Sequence, residues 1–269
     1  MKRWPFYASL AVVAALLLSG CGGKKDTYVE TPVDRLYNDA MNSVARGDWD
    51  KASQQFDEVD RQHPYSVWAT KAQLMTAYAL YQADKYDQSI VAADRFIQLH
   101  PGNRDVAYAY YLKALDYYVQ IADVGRDQGV TQQALAALGE VVRRFPDSRY
   151  GRDAQLKMQL ATDHLAGKEI DIGRYYEKQR YYLAAINRFR RVVDLYQTTT
   201  HVPEALERLT ECYLALGLHN EAEKTAAVLG YNYPGSKWYQ RAYALTTGKQ
   251  TETASSDKGW FSEVVDTIF

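Results

Sequence analysis

A short residue skeleton recurs along the chain and constrains the fold more than any other feature of the sequence. Its first copy lies within residues 47–64, where Ala52, Phe56 and Val59 fall at helical spacing and share one face of a helix. Glycine and aspartate precede this stretch, as is common in the turn before a helix, and Pro64 follows it at the expected stop. The stretch is predicted to be the second helix of a helix-turn-helix unit.

The skeleton returns four times in register. The copies begin at Trp49, Tyr86, Thr131, Tyr182 and His219, and they close at Pro64, Pro101, Pro146, Gln197 and Pro234. The first and second copies lie 37 residues apart, and so do the fourth and fifth. The pattern resembles the tetratricopeptide repeat, whose period is about 34 residues. An all-α fold is therefore predicted, a right-handed solenoid of five tetratricopeptide-like helix-turn-helix repeats over residues 33–235.

Two units are longer than this period. Pro101 and Pro146 lie 45 residues apart, and the surplus is predicted to lie in a loop at residues 123–129, between the two helices of unit three. Pro146 and Gln197 lie 51 residues apart, which indicates a lengthened first helix over about residues 149–179. Gly167 leaves open whether this region is one long helix or two.

The N-terminal segment is typical of an exported lipoprotein. Residues 1–20 have a basic start, a short apolar run and small residues at the end, which indicates a signal peptide. Residues 18–21 (Leu-Ser-Gly-Cys) resemble the bacterial lipobox, in which Cys21 is lipidated. Residues 21–32 then form the lipidated cysteine and a polar tether. A glycine rather than an aspartate follows the cysteine, which favours the outer membrane.

The C-terminal segment is predicted to have two parts. Residues 236–247 are predicted to form a capping helix, which a solenoid needs because its last repeat otherwise exposes an apolar face. Residues 248–269 are a polar linker followed by an amphipathic tail, whose apolar residues are Trp260, Phe261, Val264, Val265, Ile268 and Phe269. The tail either docks on a protein partner or folds back onto its own solenoid.

No constellation of catalytic residues is found. The five histidines are scattered without metal-ligand spacing, and no phosphate-binding loop or nucleophile motif occurs. Neither a metal nor a cofactor is expected, and the chain is not expected to be an enzyme. The net charge of −1 gives no indication of a nucleic-acid partner. Cys212, on an apolar helix stripe, is predicted to be a buried structural thiol.

Tyrosine is unusually frequent, with 23 residues in 269, and many lie in the first helices of units one to three. In tetratricopeptide arrays these helices form the concave face, so the tyrosines predict a groove that binds an extended peptide through large, rigid contacts. The alternative is that several of them pack between neighbouring helices. The candidate groove residues are Tyr37, Tyr78, Tyr81, Tyr108, Tyr111 and Tyr118.

Over residues 21–235 the chain resembles the BamD family, the lipoproteins of the bacterial outer-membrane barrel assembly machinery. The resemblance is carried by the lipobox, the tether, the five repeats and four short stretches: residues 94–97 (Asp-Arg-Phe-Ile), 144–150 (Arg-Phe-Pro-Asp-Ser-Arg-Tyr), 184–188 (Ala-Ala-Ile-Asn-Arg) and 221–224 (Glu-Ala-Glu-Lys). The tail after residue 248 is not part of the family pattern.

The resemblance implies a non-enzymatic scaffold, lipid-anchored in the outer membrane and facing the periplasm. It implies binding to the periplasmic domains of the barrel subunit BamA through Asn187 and Arg188, and association with other lipoproteins of the machinery. It also implies that the N-terminal repeats receive the C-terminal signals of unfolded barrel proteins. A lipoprotein of another envelope machine, such as a pilus pilotin or a division scaffold, is the alternative; for Arg188 the alternative is a solvated surface residue.

Overall fold

The computed structural model describes residues 30–124 and 126–248, and all regular secondary structure within these ranges is α-helical. The predicted signal peptide, Cys21, most of the tether and the tail after Gly248 lie outside the described residues. In chain order the helices are α1 (Val33–Arg46), α2 (Trp49–Gln62), α3 (Val67–Gln82), α4 (Tyr86–Leu99), α5 (Val106–Val119), α6 (Gly129–Arg144), α7 (Arg149–Lys178), α8 (Tyr182–Leu195), α9 (Val202–Ala215), α10 (His219–Asn232) and α11 (Lys237–Thr247).

The helices form five consecutive hairpins, α1–α2 to α9–α10, followed by α11. Each helix packs against the helices before and after it in the chain, so each second helix lies between the first helices of its own unit and the next. Ala52 and Phe56 of α2, for example, share a cluster with Ala40 of α1 and Ala72 of α3. The predicted solenoid of helix-turn-helix repeats is confirmed.

Each second helix buries a small residue three positions after the start of the skeleton. These residues are fully buried and are Ala52, Ser89, Ala134, Ala185 and Ala222. A small side chain here lets the backbones of two helices approach closely. The larger side chains that follow fill the remaining space of the core.

Two further buried positions in each second helix compensate each other in volume. The residues seven and ten positions after the skeleton start are Phe56 and Val59 in α2, and Ala93 and Phe96 in α4. The last unit again combines an alanine with a large residue, Leu229. Every second helix therefore presents one large side chain with a smaller one, which keeps the packed volume similar along the solenoid.

The corner that closes each unit has the same hydrogen bonds in all five units. The residue just before the closing position, His63 in unit one, donates its N–H to the carbonyl oxygen four residues earlier, at 2.8–3.0 Å in the five units. The carbonyl oxygen of the same residue accepts a hydrogen bond from the N–H three residues later, at 3.0–3.1 Å. The corner at Gln197 keeps both bonds. Its geometry therefore does not depend on proline, which explains how unit four closes without one.

Serine N-caps begin the helices after three of these corners. Ser66, Ser148 and Ser236 each stand two residues after a closing proline, and their hydroxyls accept from a backbone N–H three residues on, at 3.0, 2.9 and 3.1 Å. A capping side chain satisfies one of the free N–H groups at a helix start and stabilises the helix by about 1 kcal/mol.

The two predicted insertions have different structures. In unit three, α5 ends at Val119 and α6 begins at Gly129, so the surplus forms a loop between the two helices, as predicted. In unit four, α7 is one helix of 30 residues and Gly167 does not interrupt it. A Cβ on Gly167 would lie 3.2 Å from Nε2 of His201. This glycine therefore allows the close approach of His201 and does not break the helix.

Gly173 on α7 should not tolerate a side chain. A Cβ there would lie 2.3 Å from Cε1 of Phe189, which is fully buried in α8. We expect Gly173→Ala to lower the free energy of unfolding by about 1–3 kcal/mol, because the core at this point is already filled. Urea unfolding followed by circular dichroism measures this change.

Gly139 on α6 is the matched control, because the nearest atom to a Cβ there, Cε of Met158, lies at 3.7 Å. Gly139→Ala should be neutral or stabilising by up to about 1 kcal/mol, since alanine favours a helix over glycine. Equal destabilisation by both variants would contradict the close contact at Gly173.

Candidate binding surface

Five tyrosines on three successive first helices form one array, called here the tyrosine surface. It consists of Tyr78 and Tyr81 of α3, Tyr108 and Tyr111 of α5, and Tyr150 of α7, all of them half-buried. The ring of Tyr150 lies 5.5 Å from that of Tyr108 and 5.2 Å from that of Tyr111, centroid to centroid. Rings at these separations attract each other and are held in place before any ligand binds.

One edge of the tyrosine surface carries charge. The hydroxyl of Tyr111 donates to Oδ2 of Asp153, and Nζ of Lys157 lies 2.9 Å from the same oxygen. Lys157 also lies over the ring of Tyr118, 5.5 Å from its centroid. The hydrogen bond from Tyr111 lowers the pKa of Asp153, while burial raises the pKa of Tyr108 and Tyr111. The surface therefore offers neutral hydroxyl groups beside a fixed ion pair.

The six predicted tyrosines do not all lie together. Tyr78, Tyr81, Tyr108 and Tyr111 belong to the tyrosine surface, and Tyr118 reaches its edge through Lys157. Tyr37 lies in the junction of units one and two, where its ring centroid is 5.5 Å from that of Phe56 and 4.7 Å from that of Trp68. Tyr37 therefore packs between helices.

Tyr150 is absent from the predicted set, although the sequence contains a signal for it. It stands four residues after Pro146, as Trp68 stands four after Pro64. Both residues pack on a tyrosine in the first helix of the preceding unit. An aromatic residue at this repeat position therefore indicates a contact between successive first helices.

A buried carboxyl group, Asp116, lies beneath the tyrosine surface. Oδ2 of Asp116 accepts a hydrogen bond from Oγ of Ser89 at 2.8 Å, and Oδ1 has no partner among the described residues. Burial raises the pKa of Asp116 to about 7. A neutral carboxyl group is therefore favoured at this position below neutral pH.

Asn187 and Arg188 lie on α8, far along the chain from the tyrosine surface. Asn187 is exposed, whereas the side chain of Arg188 is 33% exposed and its Nη1 donates to Oε2 of Glu169 at 3.1 Å. Nη2 of Arg191 lies 3.3 Å from the other oxygen of Glu169. Arg188 thus has a partner within the chain, yet one contact leaves most of its five N–H donors available.

Ion pairs join the first helices of units four and five. Glu204 of α9 accepts two hydrogen bonds from Arg174 of α7, at 2.7 and 2.6 Å, and a third from Arg208 at 2.7 Å. Arg208 also donates to Glu177 of α7 at 2.6 Å. Two parallel bonds between a guanidinium and a carboxylate fix their relative orientation, so this junction is held by geometry-specific charge pairing.

Three carboxyl groups beside this junction are in hydrogen-bond contact. Glu211 contacts both Glu177 and Glu207, and burial raises the pKa of each of the three to about 7. Two carboxylates cannot hydrogen-bond each other unless one of them carries a proton. The cluster therefore holds protons in the folded chain at a pH at which the unfolded chain has released them.

Among the described residues, the histidines, Cys212 and the remaining acidic residues do not come together in a catalytic or metal-binding site. No group of three histidine, cysteine, aspartate or glutamate residues within 30–124 and 126–248 could hold a metal ion. Cys212 is buried, as predicted, and burial raises the pKa of its thiol. His63 and His100 lie at equivalent corners, where Nε2 of His63 lies 2.7 Å from the carbonyl oxygen of Thr31. None of the described helices has the length and apolarity needed to cross a membrane.

The described residues thus define a tetratricopeptide-like repeat protein whose first helices carry an aromatic surface in units two to four and an ionic junction between units four and five. Comparison with known proteins identifies its family. The family model described as YfiO, Outer membrane lipoprotein, matches residues 29–229.

Three relatives are named Outer membrane protein assembly factor BamD. The Caulobacter vibrioides protein is 51% identical over 245 residues, which cover 90% of this chain and 80% of the relative. The Rickettsia prowazekii protein is 46% identical, with 93% of this chain and 100% of the relative covered. The protein of Neisseria meningitidis serogroup A is 33% identical, with 87% and 94% covered. The chain belongs to the BamD family.

The carboxyl cluster predicts a pH dependence of stability. A carboxyl group with a pKa near 7 in the folded chain and about 4.3 in the unfolded chain binds more protons when folded, so the free energy of unfolding falls as pH rises through this window and is flat above it. Glu211→Gln replaces the central group by a neutral one. We expect the loss of stability between pH 5 and 8 to shrink by on the order of 1 kcal/mol.

Urea unfolding at several pH values measures this slope. The control is Glu221→Gln, because Glu221 is an exposed residue of α10 that pairs with Lys224. Its slope should match that of the unaltered chain. A Glu211→Gln chain with an unaltered slope would show that the cluster does not hold protons.

Proposed function

We propose that the chain is a non-enzymatic scaffold that takes part in assembling and inserting β-barrel proteins into the outer membrane. The observation that carries this proposal is its membership of the BamD family, at 51% identity to a relative named as an assembly factor. The aromatic surface on the first helices supports a binding role. No feature of the described residues favours the alternative of a pilus or division lipoprotein.

The scaffold is proposed to be attached to the outer membrane by lipid on Cys21 and to face the periplasm. The family model describes an outer membrane lipoprotein, and its match starts at residue 29, after the lipobox. A lipid anchor holds a folded domain at the surface without spanning the bilayer. Residues 22–32 then act as the tether between the lipid and α1.

The tyrosine surface, with Tyr118 at its edge and Tyr37 supporting the first junction, is proposed to bind the C-terminal signals of unfolded barrel proteins. The rings of the surface are already packed on neighbouring rings, Tyr150 on Tyr108 and Tyr111, Tyr78 on Trp49 and Tyr81 on Tyr86, so little side-chain entropy is lost when a peptide binds. The neutral hydroxyl groups of Tyr108 and Tyr111 can serve the backbone of an extended peptide, because such a strand has free N–H and C=O groups.

The second proposed contact joins α8 to the periplasmic domains of BamA through Asn187 and Arg188. Arg188 donates to Glu169 with one nitrogen, and its remaining donors suit a carboxylate of the partner. The pairing with Glu169 also orients the guanidinium before binding. Other lipoproteins of the machinery are proposed as further partners of the scaffold.

Peptide binding tests the tyrosine surface. We expect Tyr81→Ala to weaken binding of a labelled peptide from the C-terminus of a barrel protein about tenfold, because a half-buried aromatic residue of such a surface carries much of the contact energy. Fluorescence anisotropy with the full chain measures the dissociation constant.

Tyr81→Phe and Tyr231→Ala are the controls. The first keeps the ring of Tyr81 and so tests whether loss of packing, rather than of the hydroxyl, causes the change. The second removes a tyrosine on α10 that is 88% exposed and lies outside the surface. The proposal fails if Tyr81→Ala leaves the dissociation constant unaltered or if Tyr231→Ala weakens binding equally.

Purification of the lipidated chain from native membranes in mild detergent tests the second contact. A barrel protein with several periplasmic domains should co-purify in near-stoichiometric amount. Arg188→Glu should weaken that contact by a few kcal/mol at most, the cost of altering one partner of a charged pair.

Arg191→Glu is the matched control, because Arg191 pairs with the same Glu169. Both variants place a new carboxylate beside Glu169 and share any cost to folding, which thermal unfolding reports. Arg191→Glu should retain more of the barrel protein than Arg188→Glu. Equal loss in both, or an unaltered dissociation constant for Arg188→Glu, would remove Arg188 from the interface.

A further inference from the structure

The last helix, α11, is built like the first helix of a repeat. Its N-cap Ser236 stands two residues after Pro234, as Ser66 and Ser148 do after their prolines. Trp238 stands four residues after that proline, the position of Trp68 and Tyr150. The described residues therefore end within a sixth unit that has a first helix and no second helix.

The buried residue of α11 occupies the same repeat position as a buried residue in the first helices of other units. Ala242 is fully buried eight residues after Pro234, and the residues at this position in units two, three and four are alanines that are also buried: Ala72, Ala109 and Ala154. In unit two this alanine packs with α2, the second helix of the preceding unit. The side of α11 that faces back along the solenoid is thus complete.

The other side of α11 lacks a covering element among residues 30–124 and 126–248. The helices that α11 packs against, α9 and α10, both precede it, and Ala242 is its one buried residue. Thr247 is exposed, whereas Ala114, at the same repeat position in unit three, is fully buried in a cluster with Leu138 and Val141 of α6. The difference leaves a face of α11 that a following helix would cover in a complete unit.

The charged residues in α11 and directly next to it in the sequence are all basic. Residues 233–251 contain Lys237, Arg241 and Lys249 and no acidic residue. Lys237 and Arg241 lie over the ring of Trp238, at 4.8 and 5.2 Å from its centroid. Residues 252–269 contain four acidic residues and one lysine. The two segments are therefore complementary in charge.

The tail also repeats the skeleton of a second helix. Phe261, Val264 and Ile268 have the spacing of Trp49, Ala52 and Phe56, an aromatic residue followed by apolar residues three and seven positions later. At helical periodicity the three share one face. The acidic residues Glu263 and Asp266 fall between them.

We propose that residues 260–269 pack as a helix on the uncovered side of α11 and supply the second helix of the sixth unit. The 11 residues between the two segments reach at most about 40 Å when extended, and α11 is about 16 Å long, so the tail reaches it without strain. The tail then covers Thr247, and its acidic residues lie near Lys237. The terminal surface of the solenoid becomes polar, as the end of a repeat array requires.

Disulfide trapping in the full chain tests this contact. The variant carries Thr247→Cys and Val264→Cys with Cys21→Ser, so that the buried Cys212 is the one native thiol left. Mild oxidation should produce a cross-linked monomer within minutes, visible by its altered mobility on a non-reducing gel. The control replaces Thr247→Cys by Val91→Cys, at an exposed residue of α4 in unit two. It should remain uncross-linked under the same conditions.

Hydrogen exchange provides a second, independent measurement. Ile268→Asp should raise amide exchange in α11 several-fold, whereas Asp257→Asn, in the linker, should leave it unaltered. Cross-linked dimers in place of monomers would overturn the proposal in favour of docking on a second copy. Equal cross-linking of both cysteine pairs, or α11 exchange that is the same in the Ile268→Asp chain, would also overturn it.

Discussion

The close approach of paired helices is the constraint on which the rest of the structure depends. It is made possible by one small residue per second helix, of which Ala52 and Ser89 are the first two, each fully buried. At the two neighbouring buried positions a large side chain is combined with a smaller one: Phe56 with Val59 in one unit, and Phe96 with Ala93 in the next. The summed side-chain volume, and with it the spacing of units, therefore stays similar. Because packing within each unit is satisfied at these positions, the exposed faces of the first helices are left to vary with function.

The first helices use this freedom differently along the solenoid. Between units three and four they meet through the rings of Tyr108, Tyr111 and Tyr150, with the ion pair of Asp153 and Lys157 at the edge. Between units four and five they meet through Arg174, Glu204 and Arg208, beside three carboxyl groups whose pKa burial raises to about 7. Aromatic contacts depend little on salt or pH, whereas the ionic junction depends on both. The two halves of the scaffold therefore respond to different conditions.

Much of the fold follows from the sequence, because the repeat is a local pattern. The skeleton identified every second helix to within two residues, and the long spacing before Gln197 indicated a lengthened helix. Local patterns do not report contacts between helices, whose partners stand 19 to 42 residues apart, as Arg188 and Glu169 do, or Tyr111 and Asp153. The pairing of Arg188, the place of Tyr150 and the carboxyl cluster were missed for this reason. The tyrosines were identified as a group, and their division into surface and interior required the structure.

The unbroken helix α7 has a mechanical consequence. Its first turn carries Tyr150 and Asp153 of the aromatic region, and its last turns carry Arg174 and Glu177 of the ionic junction. At 1.5 Å per residue the helix is about 45 Å long, and it contains no proline or break that would act as a hinge. An axial rotation or shift at one end is therefore transmitted to the other as rigid-body motion. A ligand that displaces Tyr150 and Asp153 therefore also displaces Arg174 and Glu177, because the four residues belong to one continuous helix.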